Sequence, residues 1–194
     1  MHDQAELPEQ ELVARIIFGE KDLFREIVVR YEPLVYRTIL RSTGDAIISS
    51  DLTQDTFLRA YTKLPTFRFE SKLSTWVLRI ALNLTSNHLS SKAYRQSKRT
   101  SSESKLLNEM PQLSEDAQPE RELQLRVAEM QDAIRSLSPK YREVVILCSL
   151  GQRTYAETAE ILGIPVGTVR SRMNAARQEL RTLMAVPVSR RNDR

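Results

Sequence analysis

The sequence has little of what would let it cross-link, hold a metal or cross a membrane. It contains one cysteine, Cys148, so no disulfide can form within the chain. That cysteine lies in the run Val144-Val145-Ile146-Leu147-Cys148, where it reads as a small buried apolar residue. The two histidines, His2 and His88, join no cluster with metal-ligand spacing, and no cofactor is implied. Glycine is scarce, at five, and none of the five builds a phosphate-cradling loop. No nucleophile stands beside a base and no carboxylate pair has a metal-site context, which argues against an enzyme. No apolar run approaches the ~20 residues of a membrane span. The polar, acidic start Met1-His2-Asp3-Gln4-Ala5-Glu6 is unlike a signal peptide, so a cytoplasmic protein with no membrane insertion is expected.

What is present is charge and helical periodicity. Lysine and arginine total 29 against 25 acids, a net charge of +4 that is compatible with nucleic acid without proving it. Alternating β-branched runs are few, and apolar residues recur at helical spacing, so the fold class is all-α. Helices are expected over Leu12–Ile17, from Leu23 to Gly44 with a kink or break at Pro33, from Asp51 to Leu64, and from Leu73 to Ser90. From Gln96 to about Glu120 the sequence turns polar and proline-punctuated, as a flexible linker does. Helices resume near Arg121, with Ser138-Pro139 as a helix start. The expected organisation is two small helical domains, residues 10–95 and 122–186, joined by a linker over 96–121.

The C-terminal domain carries the sharpest motif. Thr154-Tyr155-Ala156-Glu157 has the form of a capping box, and the helix it opens stops at Gly163. After the turn Ile164-Pro165, a longer helix runs from Val166 to about Leu183. Ala159 suits a close helix crossing, Gly163 a left-handed turn, and Val169 a pin between helices, which together specify a helix-turn-helix. Its second helix presents Thr168, Arg170, Ser171, Arg172, Asn174 and Arg177, with no acid between Val166 and Gln178. Arginine reads guanine, asparagine reads adenine, and the remaining groups hold phosphates, so duplex DNA is the expected ligand.

Two stripes stand out in the N-terminal domain. Asp51, Gln54, Asp55, Leu58 and Thr62 share one helix face opposite a core stripe of Phe57, Tyr61 and Leu64. An acidic stripe with an outward leucine suits docking onto a basic partner, though a solvated acidic face has the same composition. On the next helix Trp76, Asn83 and Asn87 are spaced by seven and four, with Lys72, Ser74 and Thr75 at its start and Phe67-Arg68-Phe69 just before. Aromatics, amides and basic groups together suit unpaired bases; Trp76 reads equally as core.

These segments resemble bacterial sigma factors of the extracytoplasmic-function group. The likeness rests on Asp51 through Tyr61, Phe67-Arg68, Ser74 through Asn83, Leu137 through Arg142, and Tyr155-Ala156-Glu157 through Arg172. It implies two domains, sigma region 2 and sigma region 4. It also implies a chain that binds core RNA polymerase, directs it to promoters and helps melt the DNA, under the control of an anti-sigma factor. By that likeness Asp51, Gln54, Asp55, Leu58 and Tyr61 dock on the β′ clamp helices, and region 4 meets the β flap. Phe67, Lys72, Ser74, Thr75, Trp76, Asn83 and Asn87 match positions that capture single-stranded minus-ten bases. Thr168, Arg170, Ser171, Arg172, Asn174 and Arg177 match positions on the duplex minus-thirty-five element. Asn174-Ala175 departs from the pattern, where many relatives have an aromatic or histidine followed by arginine, so the minus-thirty-five preference should be individual.

Overall fold

A computed structural model of the chain describes residues 7–91 and 118–185, so most of the expected linker, His2 and residue 186 lie outside it. Among the described residues are eight α-helices and no strand. The first four are α1 (Glu9–Ile17), α2 (Phe24–Thr43), α3 (Ala46–Lys63) and α4 (Leu73–Ser90). Helices α2, α3 and α4 pack against one another. They enclose Ile27, Val35, Ile39, Phe57, Leu73, Val77 and Ala81, with Leu12 and Val13 of α1 across one end. Each large apolar side chain buried this way contributes about 1.5–3 kcal/mol. The Tyr31 hydroxyl donates to the Glu9 carboxylate and ties α1 to α2. Burial, and then that carboxylate, raise the Tyr31 pKa.

Two local expectations are corrected. Pro33 does not interrupt α2, which runs through it. Proline removes the hydrogen bond to the carbonyl four residues back, and here Val29 and Pro33 both face solvent, where water can satisfy that carbonyl. Helix α3 starts at Ala46 rather than Asp51 because Asp45 caps it, accepting from the amides of Ile47 (2.9 Å) and Ile48 (3.0 Å). Just before it, Gly44 closes α2 in the left-handed conformation at φ 70°.

The second set is α5 (Gln118–Ser136), α6 (Pro139–Val145), α7 (Tyr155–Leu162) and α8 (Val166–Ala185). Helix α5 begins inside the stretch read as linker, because Pro119 falls in its first turn, where a missing amide costs nothing. Ser138 takes the cap position of α6 without a side-chain cap bond. Helix α6 continues into a π-helical turn, Ile146–Leu150. The capping box forms, with Glu157 N–H donating to the Thr154 hydroxyl (3.2 Å) and Thr154 N–H to the Glu157 carboxylate (2.8 Å). The bonds that the Thr154 backbone N–H, and then its hydroxyl, donate to the carboxylate lower the Glu157 pKa. The turn follows at Gly163, φ 64°, and Val169 is fully buried behind it. The core here is Ile134, Leu137, Val144, Val145, Ile146, Ala159, Val169, Met173 and Ala176. Leu123, Val127 and Met130 of α5 remain exposed at 63%, 48% and 39%, so only the second half of that helix is packed.

Candidate nucleic-acid and protein interfaces

Helix α8 buries Val169, Met173 and Ala176 on one side, which turns Arg170, Ser171, Asn174 and Arg177 outward on the other. Positions 170, 174 and 177 are one turn apart and form a single stripe. Thr168 and Arg172 are half-buried at its edges. The Ser171 hydroxyl donates back to the Thr168 carbonyl at 3.0 Å. Arg172 faces inward enough to act on Glu143, whose carboxyl is pushed up chiefly by burial and pulled down by Ser86, Arg172 and Arg142. The outward stripe is therefore basic and amide-bearing, with Arg170, Asn174 and Arg177 free of the core.

At the start of α4 the aromatics form one cluster. Phe67 is 8% exposed and stacks on Trp76 at 5.1 Å and on Phe69 at 4.7 Å. Phe69 is the outer ring, 39% exposed, held at φ 57°. A left-handed non-glycine residue costs about 1–3 kcal/mol, which its neighbours must sustain. Thr75 is buried; Lys72 is exposed; Ser74 and Trp76 are half-buried. Asn83 and Asn87 stand exposed one turn apart, beside buried Leu84. The structure thus brings an exposed aromatic, a lysine and two amides to one flank of α4, with Phe67 and Thr75 as the layer beneath. Phe69, which the sequence offers only as part of the Phe67-Arg68-Phe69 loop, supplies the exposed ring; its left-handed backbone is not legible in that loop.

Helix α3 sets Asp51, Gln54, Asp55 and Leu58 outward, with Leu58 66% exposed. Tyr61 belongs to both stripes: its ring packs edge-on against Phe24 at 5.0 Å and 73°, yet 39% of the residue is exposed. Because α3 begins earlier than expected, Ile47, 76% exposed, extends the stripe by a turn. Two exposed apolar residues with Asp51 and Asp55 between them have the composition of a surface suited to a partner protein more than to DNA. Among the described residues no helix is long and apolar enough to cross a membrane.

Residues 27–95 match the sigma-70 region 2 family and residues 128–180 match sigma-70 region 4. The chain is 34% identical over 170 residues to the extracytoplasmic-function RNA polymerase sigma factor SigW of Bacillus subtilis, covering 84% of this chain and 89% of that one. It is 32% identical over 177 residues to the RNA polymerase sigma-H factor of Pseudomonas aeruginosa, covering 89% and 91%. The fold is that of CnrH in its complex with the cytosolic domain of CnrY, with a TM-score of 0.63 at 23% identity over 91% of this chain and 97% of that one. The chain belongs to the extracytoplasmic-function group of RNA polymerase sigma factors.

Proposed function

We propose that this chain is a promoter-selecting subunit of RNA polymerase that carries out no catalysis of its own and acts in the cytoplasm. One observation carries the reading: a single chain presents a basic, amide-bearing stripe on α8, an aromatic and amide flank on α4 and an acidic stripe with an exposed leucine on α3, all solvent-facing at once. In this reading Asp51, Gln54, Asp55, Leu58 and Tyr61, extended by Ile47, dock on the β′ clamp helices, and the second domain meets the β flap. Arg170 and Asn174 reach minus-thirty-five base edges, while Thr168, Ser171, Arg172 and Arg177 position the helix on phosphates. Asn83 and Asn87 bond the edges of unpaired minus-ten bases, Lys72 and Ser74 flank the strand over buried Thr75, and the exposed Phe69 ring, backed by Phe67 and half-buried Trp76, supplies a stacking face. The two domains correspond to residues 10–95 and 122–186.

The magnitudes explain why polymerase is needed. Melting costs ~1.4 kcal/mol per base step, and aromatic stacking returns ~1–3 kcal/mol per captured base. Capture of one or two bases leaves a deficit over a bubble of many steps, so contacts with polymerase must supply the rest. An anti-sigma factor would act by covering these surfaces, and the unpacked Leu123, Val127 and Met130 of α5 give a protein partner an apolar face. Transcription from native genomic fragments with core polymerase, with and without the chain, tests the reading. New promoter-specific starts are expected, and identical products in both reactions would overturn it.

A further inference from the structure

Four of the five glycines are accounted for by the chain's own backbone. Gly19, Gly44 and Gly163 have φ of 121°, 70° and 64°, where a side chain is strained. At Gly151 an added Cβ would come within 2.7 Å of the Leu147 carbonyl oxygen. Gly167 has neither reason. It is the second residue of α8, its backbone is helical, it is exposed, and an added Cβ would meet nothing within 4 Å. Glycine in a helix lowers stability, because it loses more backbone freedom on folding than alanine does. The fold of the free chain therefore gains nothing from the missing side chain. The remaining use of a glycine is to let something outside the chain come close to the backbone.

The position indicates what comes close. Gly167 precedes Arg170 by three residues and Asn174 by seven, so the three share one face of α8. That face points away from the core, which Val169, Met173 and Ala176 meet on the other side. No acid stands between Val166 and Gln178 to repel a duplex. A helix with its side chains is about 10–12 Å across and the major groove about 12 Å wide, so a helix enters with little to spare. Arg170 is long enough to adapt to a shallow seat. Asn174 is not: its amide stands on a single methylene and meets a base edge only where the α8 backbone lies close. A side chain at position 167, one turn ahead of Arg170 and two ahead of Asn174, would strike the duplex first and hold the helix off.

We infer that Gly167 is the point of closest approach between α8 and duplex DNA, and that its missing side chain sets how deep the helix enters the major groove. The inference deepens the promoter reading of α8 and rests on it. It makes Gly167 a positioning residue, which acts on base readout through Asn174 and Arg170. Its signature is a substitution that does not weaken the fold and yet weakens the reading of DNA.

The test uses the full chain with Gly167→Ala or Gly167→Gln, alone and as holoenzyme with core polymerase. The DNA is a promoter fragment located by transcription of genomic fragments with the unmodified holoenzyme, and the same fragment with its minus-thirty-five element scrambled. The melting temperature should be unchanged or raised by up to about 4 °C. Core polymerase affinity should stay within about twofold. Holoenzyme affinity for the promoter fragment should fall by about tenfold for alanine and further for glutamine, toward the value of the unmodified holoenzyme on the scrambled fragment. Promoter affinity within about twofold of the parent for both variants would overturn the inference. So would a lower melting temperature, which would give the glycine a reason inside the fold. Weakened core binding with promoter affinity intact would place polymerase, not DNA, against Gly167 and overturn it too. An unmodified holoenzyme that binds both fragments equally would refute the promoter reading instead. In that case loss of plain duplex binding by the Gly167→Gln chain alone would still uphold the close approach.

Discussion

Replacing Arg142 with alanine should lower the melting temperature more than any change on the DNA-facing stripe. Arg142 is 8% exposed, and its guanidinium donates to the carbonyls of Ser42 (3.1 Å), Leu137 (2.9 Å) and Arg135. Helix α5 ends at Ser136, so two of those acceptors belong to its unpaired end and the third to the end of α2. Hydrogen bonds to a charged donor contribute about 1.5–3 kcal/mol each, and a buried carbonyl left alone costs about 1–3 kcal/mol. Against this, alanine removes the several kcal/mol needed to desolvate a guanidinium. The balance is a loss of about 3 kcal/mol. For a chain of this length each kcal/mol moves the transition by about 2–4 °C, so calorimetry should show a fall of roughly 6–12 °C. Lysine should restore only a minor part, because its donors radiate from one nitrogen, whereas the guanidinium meets Ser42 from Nη1 and Arg135 and Leu137 from Nη2. A fall under ~2 °C for Arg142→Ala would refute the claim that this side chain ties three segments together.

Leu58→Asp, on an exposed position of α3, should leave the melting temperature unchanged and weaken core polymerase binding by about 10- to 100-fold, the burial of one leucine, as read by fluorescence anisotropy. Asn83→Ala should slow open-complex formation while leaving recruitment to duplex promoter nearly intact; equal loss of both steps would remove Asn83 from base capture. Glu143→Gln should report the buried carboxyl. Its folded pKa is raised, so the stabilisation due to its neutral form is complete below the unfolded value and is lost as pH rises through the folded one. The glutamine variant should therefore melt higher than the parent at neutral pH and gain nothing in acid, and a lower melting point at neutral pH would contradict this.

The helix-turn-helix was legible because each of its determinants is local: a threonine and a glutamate three apart, an alanine at a crossing, a glycine at a left-handed turn. Helix α3 was legible in its middle and misread at its start, since Asp45 caps a run, Ala46-Ile47-Ile48-Ser49-Ser50, that carries no helical stripe of its own. Its core is also disguised. Thr53 and Thr56 are buried, with hydroxyls donating to the Ser49 and Leu52 carbonyls at 2.7 and 2.6 Å, so polar residues occupy apolar positions. Phe67 reads in sequence as a ring on offer, whereas the fold buries it under Phe69. The contact between the two domains, where Leu78 and Leu82 of α4 pack with Leu147 and Ile161, left no trace in the pattern. Arg79, Arg41 and Arg142 donate to backbone carbonyls, which every residue has, and Leu78, Leu82 and Ile161 sit at the spacing of an ordinary core. Contacts of this kind are set by how two finished domains meet, which no single stretch of sequence encodes.

The most direct test is a combined protection and permanganate footprint on one promoter fragment, made with the chain alone, with core polymerase alone, and with both. With both, protection of the minus-thirty-five and minus-ten elements should appear together with reactive, unpaired thymines at the minus-ten element, and neither component alone should give that pattern. Tight protection of duplex DNA by the chain alone, unchanged by polymerase and without reactive thymines, would make it a conventional DNA-binding regulator and contradict its assignment as a promoter-selecting subunit.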